Sequence, residues 1–145
     1  MSEREILFRG KDLQERNGWL YGYFYKSDIN KRERESGKAT LIFTPNCDTF
    51  IYVPEYHNSW MVKAETVGQY TGLKDKNGTR IFEGDIVRCK DTLHEVIFCK
   101  ISGCAFFGIT MPDRGEIWNF DGITRADGME VIGNIHDNPE LLKGD

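Results

Sequence analysis

No apolar run in this sequence approaches the roughly 20 residues that a bilayer-spanning helix requires. The N-terminus, MSEREILFRGKD, alternates charge with short apolar runs and has no apolar core of the kind a signal peptide carries. A soluble, cytoplasmic protein with no membrane partner is the expectation. Positive charge is not in excess either. The formal net charge is −4, and the deficit falls wholly after Gly68: ten basic residues face ten acidic ones up to that point, and nine face thirteen beyond it. Nucleic-acid affinity rests mainly on cations set against phosphate, so composition gives no overall pull toward DNA or RNA. The densest basic run, Lys31–Glu35 (KRERE), nearly cancels itself and reads as part of a solvated loop.

Catalytic signatures are absent as well. There is no GxSxG, HExxH or Walker pattern and no glycine-rich phosphate loop. Four cysteines (Cys47, Cys89, Cys99, Cys104) and three histidines (His57, His94, His136) raise the question of a metal. Structural zinc needs close ligand pairs repeated at a second knuckle, and the only close pair is Cys99 with Cys104. Cys99 falls within VIFCKI, where alternation makes it a candidate buried strand residue, so the thiols read as reduced and buried. Disulfides are disfavoured in a cytoplasmic chain.

Glu83 and Asp85 are the best paired carboxylates, two apart on a strand and therefore on one face. Such a pair can serve as acid and base or hold a divalent cation. No histidine or third carboxylate adjoins them in sequence, and a structural or solvated role is the reading. His136-Asp137 is followed by Asn138-Pro139, which reads as a helix start instead. No catalytic residue, cofactor or metal is expected, and the chain reads as non-enzymatic.

What is present is strand grammar. A length of 145 residues suits one domain or two very small ones, and 39% apolar with 12% aromatic residues suffices for a core. WLYGYFY places Trp19, Tyr21, Tyr23 and Tyr25 on one face and Leu20, Gly22 and Phe24 on the other. TLIFTP and DTFIYVP read as two short strands around a turn at Asn46–Asp48, limited by Pro45 and Pro54. Between them and the aromatic strand, the polar stretch at about 26–38 reads as a loop. Later strands are GDIVRCK, EVIFCKI, AFFGITM, EIWNF and MEVIGNI, separated by turns at Asp91–Thr92, Ser102–Gly103, Pro112–Gly115 and Asp127–Gly128. Short strands at this spacing suggest a small barrel or sandwich. Helix is confined to one turn at DLQER and a short turn opened by Asn138-Pro139.

The stretch YTGLKDKNGTRIFEGDIVRC, Tyr70 to Cys89, concentrates charge and glycine between apolar residues. Asn77-Gly78 predicts a type I′ hairpin joining Gln69–Leu73 to Thr79–Phe82, with positive φ at both central residues. Gly84 predicts a second bend or a close backbone approach.

Three blocks, REILFRGKD, TVGQYTGLKDKNGTRIFEGDIV and GMEVIGNIHDNPELL, resemble the YopX family of bacteriophage and prophage proteins, in the family's order and across nearly the whole chain. The resemblance implies a phage or prophage origin, a bacterial host cytoplasm, a mostly β protein with an SH3-like barrel, and self-association. It implies no reaction, cofactor or catalytic residue.

The combined expectation is a mainly β protein of short antiparallel strands. Residues 1–66 form a β-rich part with the polar loop, and residues 67–145 an SH3-like barrel with a short C-terminal helical turn. Function is expected to be non-catalytic binding, to a phage or host protein or as a homo-oligomer. Trp19, Tyr21 and Tyr23 are the interface candidates, with Trp60 and Trp118 as further anchors. Against this stands the reading that these rings fill the core. A nucleic-acid-binding barrel is the alternative, since WLYGYFYK offers rings for base stacking. A metal-dependent hydrolase ranks behind both.

Overall fold

The alternation of Trp19–Tyr25 organises the first of two units into which the chain resolves, Leu7–Gly68; the second comprises Gln69–Asp145 with Met1–Ile6. In this computed structural model, residues 5–37, 46–101, 103–111, 116–119 and 128–143 are described. The protein is mainly β, as its short alternating segments require. The expected strand TLIFTP, the turn Pro112–Gly115 and Asp127 of the turn Asp127–Gly128 lie outside the described residues. No helix among the described residues is long and apolar enough to cross a membrane.

In the first unit, β1 (Phe8–Lys11), β2 (Trp19–Lys26), β3 (Thr49–Val53) and β4 (Asn58–Met61) pair antiparallel in the order β4-β3-β2-β1. Leu20, Ile51, Val53 and Val62 form its buried core, with Phe8, Phe24, Trp60 and Val67 packed around them. Each fully buried aliphatic side chain of this size contributes about 1.5–3 kcal/mol. Gly22 permits the pairing of β2 with β3. A Cβ there would stand 1.9 Å from the Tyr52 carbonyl oxygen, a backbone atom that cannot step aside.

The polar stretch expected as a loop is instead partly α-helical: α1 spans Ile29–Ser36. Its Lys, Arg and Glu residues are good helix formers, and Arg32 pairs with Asp28 at 2.9 Å, one helical turn apart. Gly37 closes the helix in the left-handed region, φ +70. No residue of α1 is buried, so it carries no apolar stripe by which its period is readable.

In the second unit, β7 (Asp85–Cys89), β8 (Thr92–Ile101), β9 (Cys104–Met111), β10 (Glu116–Asn119) and β11 (Met129–Asn134) form an antiparallel sheet in the order β10-β9-β8-β7-β11. The hairpin β5 (Gly68–Lys74) and β6 (Arg80–Phe82) contributes Ile81 to a core shared with Val87, Val96, Ile109 and Met129. A closed barrel was expected here; no ladder between β10 and β11 is seen among the described residues. The turn between β7 and β8 falls at Lys90–Asp91, one residue before the expected place, with Lys90 at φ +57. The C-terminal turn is a 3-10 turn, Pro139–Leu142. Asn138 does not cap it with its side chain; its Oδ1 accepts the Asn134 N–H at 3.3 Å.

The Asn77-Gly78 turn forms with a different geometry from type I′. Gly78 has φ +81, but Asn77 is not among the residues with positive φ. The Gly78 N–H donates to the Asp75 carbonyl at 3.0 Å, and the Asp75 N–H to Thr79 at 2.8 Å, so the turn spans Asp75–Gly78 with the glycine as a bulge residue. The Asp75 side chain selects this geometry. Its Oδ1 accepts the N–H groups of Asn77 and Thr79, both at 2.9 Å, and its Oδ2 accepts that of Val131 at 2.9 Å. One buried carboxylate thus folds the hairpin tip and fastens it to β11.

Three predictions follow from these packing and turn constraints. Gly22→Ala should lower stability by at least about 2 kcal/mol through overpacking against backbone. Gly18→Ala, where nothing lies within 4 Å but φ is +64, should cost only about 1 kcal/mol. Urea melts giving equal losses would contradict the β2–β3 contact. Gly78→Val should cost about 1 kcal/mol or more, against no more than about 0.5 kcal/mol for Lys76→Ala, whose side chain is exposed. Burial opposes ionisation of Asp75, yet the three N–H bonds and Lys76 outweigh it and hold its pKa below the ordinary value. Its stabilisation is therefore complete above the unfolded pKa of about 3.9 and is lost as pH falls through the lower folded value. Asp75→Asn should destabilise at neutral pH by about 1–3 kcal/mol and flatten the acid limb of a melting-temperature profile. An unchanged acid limb would disprove the role given to this carboxylate.

Candidate functional site

Along β2, alternation puts Leu20 and Gly22 into the buried side and leaves the tyrosines on the other. Tyr21 is 45% exposed, Tyr23 55% and Tyr25 40%. The reading in which these rings fill the core is corrected here: the core side of β2 is satisfied by Leu20, Phe24 and the gap at Gly22. Cross-strand register places Tyr52 beside Tyr23 and Phe50 beside Tyr25. Tyr25 stacks on Phe50 with ring centroids 5.2 Å apart and planes 10° from parallel. The result is an aromatic sheet face.

A cleft of about 500 Å³ opens at the start of β2. It is lined by the apolar Leu20 and Val53, by the aromatic residues Trp19, Tyr21, Tyr56 and Trp60, and by the polar Asn17, Glu55 and Asn58; Trp60 lies on the core side of the sheet with Leu20 and Val53. Two local structures position these groups. Asp12 is buried and gathers the β1–β2 loop: its Oδ1 accepts the Gln14 N–H at 3.1 Å, and its Oδ2 the Asn17 N–H at 3.1 Å and the Asn17 side-chain amide at 2.9 Å. On the other side, Pro54 opens a 3-10 turn, Pro54–Tyr56, which His57 ends at φ +49 while donating its N–H to the Pro54 carbonyl at 3.2 Å. The turn swings Tyr56 against Trp60 edge to face, centroids 5.8 Å apart and planes at 80°. Trp19 is already covered by a cation, with the Arg9 guanidinium 4.6 Å from its ring centroid.

Trp19, Tyr21 and Tyr23 thus share one strand face, and Trp19, Tyr21 and Trp60 share the cleft. Trp118 lies in β10, in the other unit. The cleft residues that sequence reasoning missed are Asn17, Glu55, Tyr56 and Asn58. Pro54 was the available signal, as a residue suited to the first position of a helical turn.

The acidic and thiol candidates have other roles. Asp85 is buried, and its Oδ2 accepts the Phe82 N–H at 2.7 Å, bracing the bend at Gly84, which has φ +92. Glu83 is half-buried, with Oε1 3.4 Å from the Gln69 N–H. Glu95, opposite Ile86, has its pKa raised, first by burial and then by the charge of Glu83. His94 is buried with both ring nitrogens engaged: Nδ1 donates to the Thr110 carbonyl at 2.7 Å, and Nε2 lies 2.7 Å from the Thr92 hydroxyl. The His136 and Asp137 N–H groups both donate to Asn134 Oδ1.

All four cysteines are free, but none is fully buried; Cys47, Cys89 and Cys99 are half-buried and Cys104 is exposed. The expectation of buried thiols is corrected for a physical reason in the case of Cys99 and Cys104. They lie on the part of the β8–β9 ribbon that extends past the pairing of β7 and β10, where Phe98 is also 42% exposed. Among the described residues no three Asp, Glu, His or Cys side chains come together to hold a metal ion.

No curated protein matches the chain. Among solved structures it is similar to the crystal structure of protein EF1440 from Enterococcus faecalis, with 26% identity over 97% of this chain and 99% of that one, and a TM-score of 0.50. The family model described as YopX protein matches residues 7–143, and the chain belongs to the YopX family.

Proposed function

We propose that the protein is a phage- or prophage-encoded accessory protein that acts by contact, without chemistry of its own. The aromatic face of β2 is its contact surface, and a second copy of the chain is the first partner to test. The observation that carries this reading is the row of three exposed tyrosines at alternate positions of one strand, beside Phe50 and Tyr52. Scattered surface aromatics need no explanation, but a contiguous apolar patch marks an interaction site. Tyrosine is enriched at interface centres. A two-fold contact would set the same patch of both copies against each other. Family membership supports the phage-type assignment, and the carboxylates, histidines and thiols of the described residues are occupied structurally or dispersed.

The same rings, spaced about 6.8 Å apart along a strand, also suit base stacking, which is the second reading. Its weakness is cationic support. Lys26, next to Tyr25, lies 4.0 Å from Asp48.

Light scattering at micromolar concentration separates these outcomes. The wild type should give a mass above that of one chain. Tyr21→Ser/Tyr23→Ser/Tyr25→Ser should shift it to the monomer without lowering the melting temperature by more than a few degrees, because the rings are exposed. A strictly monomeric wild type defeats self-association. Binding of single-stranded DNA or RNA at low salt, falling steeply as salt rises, promotes the second reading.

A further inference from the structure

The cleft at the start of β2 has a chemistry of its own. Two of its aromatic walls, Tyr56 and Trp60, stand at 80° to each other and form a corner rather than a stack. Each ring carries negative potential on its face, so a cation set beside the face that the edge-to-face contact leaves open is attracted. Tyr56 is 67% exposed, so its ring is accessible from solvent. Trp19 shows within the same molecule that an indole here takes a guanidinium, and Arg9 already occupies it. The Tyr56–Trp60 corner carries no such cation among the described residues.

Charge points the same way. Among the described residues lining the cleft, Glu55 is the one acidic side chain, and none is Lys or Arg. It sits on the turn that presents Tyr56, and no hydrogen bond or ion pair engages its carboxylate among the described residues. The floor of Leu20 and Val53 is apolar, which suits a hydrocarbon stem and disfavours a small hydrated metal ion. Asn17 and Asn58 supply neutral amides and no competing positive charge.

We propose that this cleft is a receptor for an organic cation, an ammonium or guanidinium on an apolar stem, borne as a lysine or arginine side chain by the protein partner. The inference rests on the contact function proposed above and specifies the partner's chemistry. The stem lies over Leu20 and Val53, the charged head enters the corner of Tyr56 and Trp60, and Glu55 balances its charge.

The test uses the full chain and small probes. Choline and N-acetyl-arginine amide are titrated while their proton NMR shifts are followed, with 3,3-dimethylbutan-1-ol as the uncharged isostere of choline. Ring currents should move the choline methyl signal upfield, with affinity at least about tenfold above that of the isostere, the ratio expected for about 1.4 kcal/mol of cation attraction. Glu55→Gln should weaken both cations several-fold. Tyr56→Ala, at an exposed position whose loss spares the core, should weaken binding of both cations several-fold, with Trp60 alone left to shift the choline signal. Equal binding of choline and its isostere, or no effect of either substitution, overturns the proposal. So does an absence of any shift at millimolar probe.

The two readings fail separately. Loss of self-association in the tyrosine triple variant says nothing against the cation if choline still binds a variant restricted to Tyr23→Ser/Tyr25→Ser, which lie outside the cleft. Conversely, cation binding can fail while the oligomer persists.

Discussion

Backbone N–H groups in tight turns have no ladder partner, and this fold meets that constraint with buried aspartates. Asp12, Asp75 and Asp85 are all buried, and each accepts N–H groups from the turn it sits in. A carboxylate taken out of water is costly unless hydrogen bonds replace its hydration. Convergent N–H donors do so, and charge makes each bond stronger than its neutral counterpart. The turns are therefore built around the acids, and each turn sets what flanks it. Asp12 aligns β1 with β2 and places Asn17 and Trp19 at the cleft. Asp75 shapes the β5–β6 tip and holds it to β11. Asp85 braces the bend at Gly84 through which β6 passes into β7, where the Gly84 N–H donates to Val96 at 2.8 Å.

The same constraint explains which parts of the fold were legible in the sequence. Alternation in WLYGYFY correctly separates Leu20 and Gly22 from Trp19, Tyr21 and Tyr23, because period two is a local property of the strand. Whether a face is wet depends on what the rest of the chain brings over it, which no local pattern records. Hence the sequence left core and interface both open for the tyrosines, and the fold leaves them exposed. The role of Asp75 is not visible in its own segment, because one of its donors, Val131, lies 56 residues away. Without that donor in view, type I′ is the natural reading of Asn-Gly. Helix α1 escapes for the opposite reason. It buries nothing, so it has no hydrophobic period, and only propensity and Gly37 mark it.

The cleft was legible only in halves. Asn17 to Tyr21 and Val53 to Trp60 are separate segments, and each contains ordinary turn and strand residues. They meet because β3 pairs with β2 in a register that leaves the end of β3 beside the start of β2. Gly22 makes this register possible by having no Cβ to meet the Tyr52 carbonyl. The glycine that looks like a weak point in an aromatic strand is the condition for the site.

The placement of the tyrosines bears on function through entropy as well as area. Strand β2 lies between β1 and β3, laddered to β1 over Trp19–Gly22 and to β3 over Tyr23–Lys26, so each of its residues is already fixed by a ladder before anything binds. Tyrosine adds large contact area with only two side-chain torsions to fix. On the buried side of the same strand, Leu20 meets Ile51, Val53 and Val62, and folding has no need of the rings opposite. An exposed row of aromatics on a laddered strand contributes little to the stability of its unit and much to any surface laid against it. Such a row suits a preformed docking platform.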